Sequence, residues 1–269
     1  MRRIINFDCE GAMCAATVDQ ATGTTGLLIV SGGNEIRVGS HRGMVKLAAE
    51  VAQAGFPVFR YDRRGTGDSE GYNGGFETSG PDMRAALAAF RAEQPQLDTV
   101  VALGNCDGAT ALLLHRPEGL DGLIVTNPWI VEAAVDEPAP AAARAYYAER
   151  IRNPRAWLNL LSGRVNLRKT AGSLSFAVGH DSDCALALRL AHVMVARPIP
   201  TIIILAEQDG TAIAFAHQWA DDMFAPVRDH VRIIRIESAS HSFAAAHDHA
   251  QFSAHVIAFL QRAVVAAKP

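Results

Sequence analysis

The residues with the clearest chemical potential are Cys106, Asp209 and His241, in that order along the chain. Cys106 is the centre of Gly104-Asn105-Cys106-Asp107-Gly108, which follows the apolar run Val100 to Leu103 and precedes the helix-prone run Ala109 to Leu114. A strand, a sharp turn flanked by glycines and a helix match the spacing of the G-x-S-x-G nucleophile elbow, with cysteine in place of serine. The glycines let strand and helix approach each other, and the turn sets the sulfur at a helix N-terminus, where the dipole favours a thiolate. A cysteine alone is more often a small buried hydrophobe than a nucleophile, and Cys9 and Cys14 read that way. What distinguishes Cys106 is its company. Asp209 follows the apolar run Ile199 to Leu205, and His241 follows Val231 to Ile236. Nucleophile, acid and base each lie just past a strand end, so one edge of a parallel sheet can gather them into a Cys-His-Asp triad. Asp181 and Asp183 are rival acids, but no convincing core strand precedes them.

Attack on an acyl carbon also needs donors for the oxyanion. Gly26 to Val30 is a continuous apolar run that ends in Ser31-Gly32-Gly33-Asn34, the pattern of a buried strand feeding a glycine loop. The backbone N–H of Gly33 or Asn34 is expected on one side of the oxyanion, and that of Asp107 on the other.

These residues need a frame to position them. Gly43 to Ala54 carries apolar side chains at helical spacing, Phe56 to Tyr61 is strand-like, and Pro81 to Phe90 is again helical. With an N-terminal hairpin around Cys9-Glu10-Gly11, this alternation predicts an α/β fold with a doubly wound, mostly parallel sheet. The Asp62 to Gly71 loop, rich in glycine and charge, is expected to brace itself by ion pairs. Alternation stops after Pro128 and resumes near Pro198. The expected organisation is therefore a first core part over 1–128, an inserted helical cap over 129–196 and a second core part over 197–269. The cap would overhang the C-terminal strand ends, the ligand side of such sheets. Trp129, Tyr146, Tyr147 and Trp157 are its candidate pocket residues, though aromatics at helical spacing more often simply pack.

The 269 residues suit one large domain with an insertion. A formal charge of -3, with both signs scattered, offers no basic stripe for nucleic acid. Four cysteines without metal-ligand spacing predict neither a metal site nor a disulfide scaffold, and suit a reducing cytoplasm. No apolar run approaches membrane-spanning length, and no phosphate-cradling glycine motif or other cofactor signature is present.

Through Ser31-Gly32-Gly33, the stretch Tyr61 to Ser69, the Gly104 to Gly108 elbow, Asp209 and His241, the chain resembles the α/β-hydrolase superfamily over nearly its whole length. Gly32 to Arg42 and Leu160 to Val165 resemble the hydrolases associated with exosortase systems, which also carry cysteine at the elbow. The resemblance implies a hydrolase or acyltransferase working through an S-acyl enzyme and fixes no substrate. A thioester or activated ester is the expected substrate, a small acyl compound free or carried by coenzyme A or acyl carrier protein. A carboxylesterase or lactone hydrolase, and a non-catalytic protein holding a small ligand on the same fold, are the alternatives.

Overall fold

A computed structural model describes residues 1–130 and 184–266. Eight strands form one sheet: β1 (Arg2–Cys9), β2 (Ala12–Asp19), β3 (Thr25–Val30), β4 (Val58–Tyr61), β5 (Thr99–Asn105), β6 (Gly122–Thr126), β7 (Thr201–Ala206) and β8 (Val231–Ile236). Their spatial order is β1-β2-β4-β3-β5-β6-β7-β8. The hairpin β1–β2 turns through Glu10 and Gly11, both at positive φ (52° and 83°), as a two-residue turn matched to strand twist requires. β2 also runs antiparallel to β4, and every pairing from β4 to β8 is parallel.

The chain crosses the sheet through α1 (Gly43–Gln53), α2 (Gly80–Glu93), α3 (Asp107–His115), α4 (Cys184–Ala196), α5 (Gly210–Trp219), α6 (Ala225–Arg228) and α7 (Ala246–Ala266). Leu27, Ile29, Val101 and Leu103 point to one face, where they meet Leu47 and Val51 of α1 and Phe252 and Val256 of α7. Leu28, Val30, Val100 and Ala102 point to the other, against Met83 and Phe90 of α2, Leu112 of α3, Leu190 of α4 and Phe215 of α5. The period-2 split along each strand makes both faces apolar, which is why β3, β5, β6 and β7 are buried from end to end. Each large aliphatic side chain so buried stabilises the fold by about 1.5–3 kcal/mol. These buried strands fix where the C-terminal edge lies, and with it the loops that carry Cys106, Asp209 and His241.

The stretch after Asp209 folds as α5. One feature departs from the sequence expectation. The charged loop is braced from outside rather than by itself: Arg37 pairs with Asp62 and Asp68, and Arg64 with Asp82 and Glu10. Of the segment read as a cap, Tyr146, Tyr147 and Trp157, with the rival acids Asp181 and Asp183, lie outside the described residues. Its last stretch is α4, which buries Leu186, Leu190 and Met194 in the core. Among the described residues no helix is long and apolar enough to cross a membrane.

Candidate active site

Cys106 stands between β5 and α3 with φ 56° and ψ -128°, a combination L-residues rarely adopt. Its backbone is fastened at both ends. The N–H donates to the Thr126 carbonyl (3.1 Å), and the carbonyl accepts from the N–H groups of Ala109 (3.1 Å), Thr110 (3.3 Å) and Trp129 (3.2 Å). Close approach explains the flanking glycines: a Cβ on Gly108 would lie 2.8 Å from the carbonyl oxygens of Val30 and Ser31, and one on Gly104 would lie 2.7 Å from the Ala109 nitrogen. Cys106 is half-buried, whereas Cys9 and Cys14 are buried in the core. Burial pushes the Cys9 thiol up to about 11 and raises that of Cys14, which keeps both protonated and unreactive.

Asp209 is the N-cap of α5, and its Oδ2 accepts both from the Ala212 N–H (3.0 Å) and from His241 Nδ1 (2.9 Å). One carboxylate thus starts a helix and orients the imidazole. Two serines shape the histidine loop: Ser238 donates its hydroxyl to Asp248 (2.5 Å) and accepts from the Ser240 N–H, and Ser240 Oγ accepts from the Ala244 N–H (2.9 Å). With Nδ1 engaged by Asp209, Nε2 has no hydrogen-bond partner among the described residues and is the nitrogen left to serve Cys106. Burial pulls the imidazole down, but the Asp209 carboxylate on Nδ1 and the neighbouring Cys106 sulfur outweigh it. The net effect raises His241 to about 10.

The loop after β3 closes over the elbow from the other side. Gly33, at φ 54°, donates its N–H to the Asp107 carboxylate, and the buried Arg63 guanidinium donates to the Gly33 carbonyl while lying 3.7 Å from Asp107 Oδ2. The Gly33 N–H is therefore already engaged. Among the described residues the N–H groups of Asn34 and Asp107 have no acceptor. The Asn34 side chain accepts from Asn73 (2.9 Å). Trp129 reaches the site through its backbone, with its N–H on the Cys106 carbonyl and its carbonyl accepting from the Thr110 hydroxyl. No group of side chains suited to hold a metal ion occurs among the described residues.

Three contributors were not legible as site residues. Asn127, fully buried at φ 41°, donates to the His241 carbonyl (2.8 Å) and accepts from the Ala206 N–H (2.8 Å), tying the histidine loop to the end of β7. Arg63 secures the oxyanion loop as described. Glu35 follows that loop. Its carboxyl is raised by burial, opposed by the His241 charge and a Ser40 backbone hydrogen bond, and pushed further up by Asp107, so it lies within the electrostatic reach of the imidazole. Only the asparagine after a strand end, a residue tolerant of positive φ, hinted at any of them. Asn127→Ala leaves two buried backbone groups unpaired. It is expected to cost about 3 kcal/mol of stability by denaturant unfolding and to lower kcat by about 100-fold with little change in KM.

With this geometry in view, sequence and structure comparisons are informative. The family described as serine aminopeptidase, S33, matches residues 26–171, more than half of the chain. No curated protein matches by sequence. Among solved structures, an esterase of Pyrococcus furiosus superposes with a TM-score of 0.66 at 15% identity, covering 97% of this chain and 91% of its own. Proline iminopeptidase of Mycobacterium smegmatis gives 0.65 at 18%, covering 99% and 100%. Est1E of Butyrivibrio proteoclasticus, with ferulic acid bound, gives 0.63 at 13%, covering 97% and 99%. At these identities the structures speak to the fold alone. The narrower likeness to exosortase-associated hydrolases gains no support from these matches. The eight-stranded sheet, the strained elbow at its C-terminal edge and the family match agree: the chain belongs to the serine aminopeptidase S33 family of α/β-hydrolases.

Proposed function

We propose that this hydrolase works through Cys106 as nucleophile, with His241 and Asp209, on acyl thioesters, releasing the acyl group to water or to another acceptor. The observation that carries this reading is a cysteine at the strained elbow facing an imidazole whose Nδ1 is held by Asp209 (2.9 Å). An imidazole raised to about 10 is protonated across neutral pH. Such a group is a poor base for a serine hydroxyl but a suitable partner for a thiolate.

The thiolate of Cys106 attacks the thioester carbonyl carbon, forming a C–S bond. The resulting oxyanion is received by the unpaired N–H groups of Asp107 and Asn34. As the intermediate collapses, the bond to the leaving thiolate breaks and His241 donates its proton to that sulfur. In the second half, His241, now neutral, takes a proton from water as its oxygen attacks the S-acyl carbon. Breaking the acyl–Cys106 bond then restores thiolate, imidazolium and a free acid. Asp209 holds Nδ1 throughout, so Nε2 handles every proton. Thioesters suit this site because attacking and leaving sulfurs have similar basicity, whereas an alkoxide leaves less readily than the thiolate that attacked. Activated esters form the second reading, since their leaving groups are also good enough to be expelled by a thiolate.

A panel of acyl thioesters and matched oxygen esters tests the proposal by kcat/KM. Thioesters should be turned over faster than matched alkyl esters, and equal or reversed preference would overturn the assignment. The pH profile gives a second discriminator. Because the protonated imidazole is the working form, kcat/KM on a thioester should hold through neutral pH and fall as pH passes about 10. A rate that instead climbs continuously toward pH 10 would mark a neutral-base mechanism.

A further inference from the structure

At the far end of α3 from Cys106, about 13 Å away by the rise of a nine-residue helix, lies a cavity of about 460 Å3. Its lining includes Arg84, Arg91, His115, Arg116, Glu118 and Arg197. The size is in the range of small-molecule sites, and the composition is unusual for a chain whose formal net charge is -3. Arg84 and Arg91 are seven residues apart on α2, with Leu87 and Ala88 between them on the same helical face, so two turns of that helix present a guanidinium at each end.

Arginines can be structural braces, and three of these partly are. Arg91 donates to the carbonyls of Leu97 (3.0 Å) and Gly119 (2.9 Å), Arg116 donates to the Arg197 carbonyl, and Arg197 returns a bond to the Arg116 carbonyl (3.1 Å). Arg91 also lies 3.9 Å from the Asp121 carboxylate. Carbonyls bear no net charge, however, so the bonds of Arg116 and Arg197 leave those two guanidinium charges uncompensated. Two observations go beyond bracing. Arg84 is exposed and has no carboxylate partner among the described residues. Arg116 is only 5% exposed, yet its Nε has no hydrogen-bond partner. Burial, and then the charge of Arg197, hold the Arg116 guanidinium down to about 10, the mark of a cation without a counter-charge.

We propose that this cavity binds a phosphorylated small molecule, with Arg84, Arg91, Arg116 and Arg197 around its phosphate oxygens. Four guanidinium groups against the carboxylates of Glu118 and Asp121 still call for more than one negative charge, and the planar N–H fork of arginine matches phosphate oxygens in pairs. A lone carboxylate would leave most of that charge unanswered. The site is separate from the triad and does not depend on which acyl compound Cys106 attacks.

Isothermal titration of the whole protein at 0.15 M salt tests this, with inorganic pyrophosphate as probe and orthophosphate and acetate for comparison. Pyrophosphate should bind saturably and more tightly than orthophosphate, and acetate should give no saturable heat. Arg84→Ala, an exposed change, should weaken pyrophosphate binding about tenfold. Glu118→Gln, also exposed, should tighten it, because the one opposing charge in the lining is gone. Lys46→Ala, on exposed α1 surface elsewhere, should leave it unchanged. The proposal is overturned by absence of saturable pyrophosphate binding, by Arg84→Ala binding as tightly as wild type, by an equal loss in Lys46→Ala, or by acetate binding as well as orthophosphate.

Discussion

Cys106→Ala should lower turnover of a good thioester by about 10^4-fold or more and abolish the S-acyl adduct seen by intact-mass spectrometry. The residual rate would come from the oxyanion donors and binding, which survive the change. The fold should survive too, because the elbow is held by the backbone of residue 106 through Thr126, Ala109, Thr110 and Trp129 rather than by its sulfur. Cys106→Ser is the sharper experiment. Its hydroxyl is far less acidic than a thiol and a much weaker nucleophile toward a thioester without strong base assistance. The serine variant should therefore lose most thioester turnover. Near-wild-type turnover by Cys106→Ala would remove the cysteine mechanism altogether.

Asp209→Asn should cut kcat by about 10^4-fold at neutral pH while leaving thermal stability near wild type. The amide oxygen can still accept from the Ala212 N–H and start α5, so the cap is kept. What is lost is the negative charge beside Nδ1, which sustains the imidazolium and its orientation. Asp209→Ala should lose the cap as well and be less stable by about 1 kcal/mol. Comparing the two by thermal melts and steady-state kinetics separates the structural duty of this carboxylate from its duty toward His241. Full activity in Asp209→Asn would transfer the acid's role to another carboxylate.

The strands and the elbow were readable because their signals are local. Gly26 to Val30 and Val100 to Leu103 are buried on both faces and so are apolar without interruption, and the flanking glycines mark where backbones nearly touch. The positions of Asp209 and His241 follow from the same logic, since residues just past parallel strand ends share one edge. The tethers were hidden because they join distant segments. Asn127 is 114 residues from the carbonyl it holds, and Arg63 acts on a loop 30 residues before it. Helix α5 is short and has little amphipathic contrast, so its sequence signal is weak. Its burial rests on Phe215 and Trp219, and Trp219 packs in turn against Phe224.

The elbow's construction bears on how a cysteine can stand in a family described by serine. The bonds that fix the turn at residue 106 use its main-chain N–H and carbonyl, which serine and cysteine supply alike, and the close approaches fall on the glycines at 32, 104 and 108. The turn is a socket into which the reactive side chain is plugged. The identity of the nucleophile can change in a single step without passing through a misfolded protein. On the proposed mechanism the histidine's protonation state is then retuned around it, which would make the imidazole's surroundings, rather than the elbow, the place where a serine enzyme and a cysteine enzyme on this frame diverge.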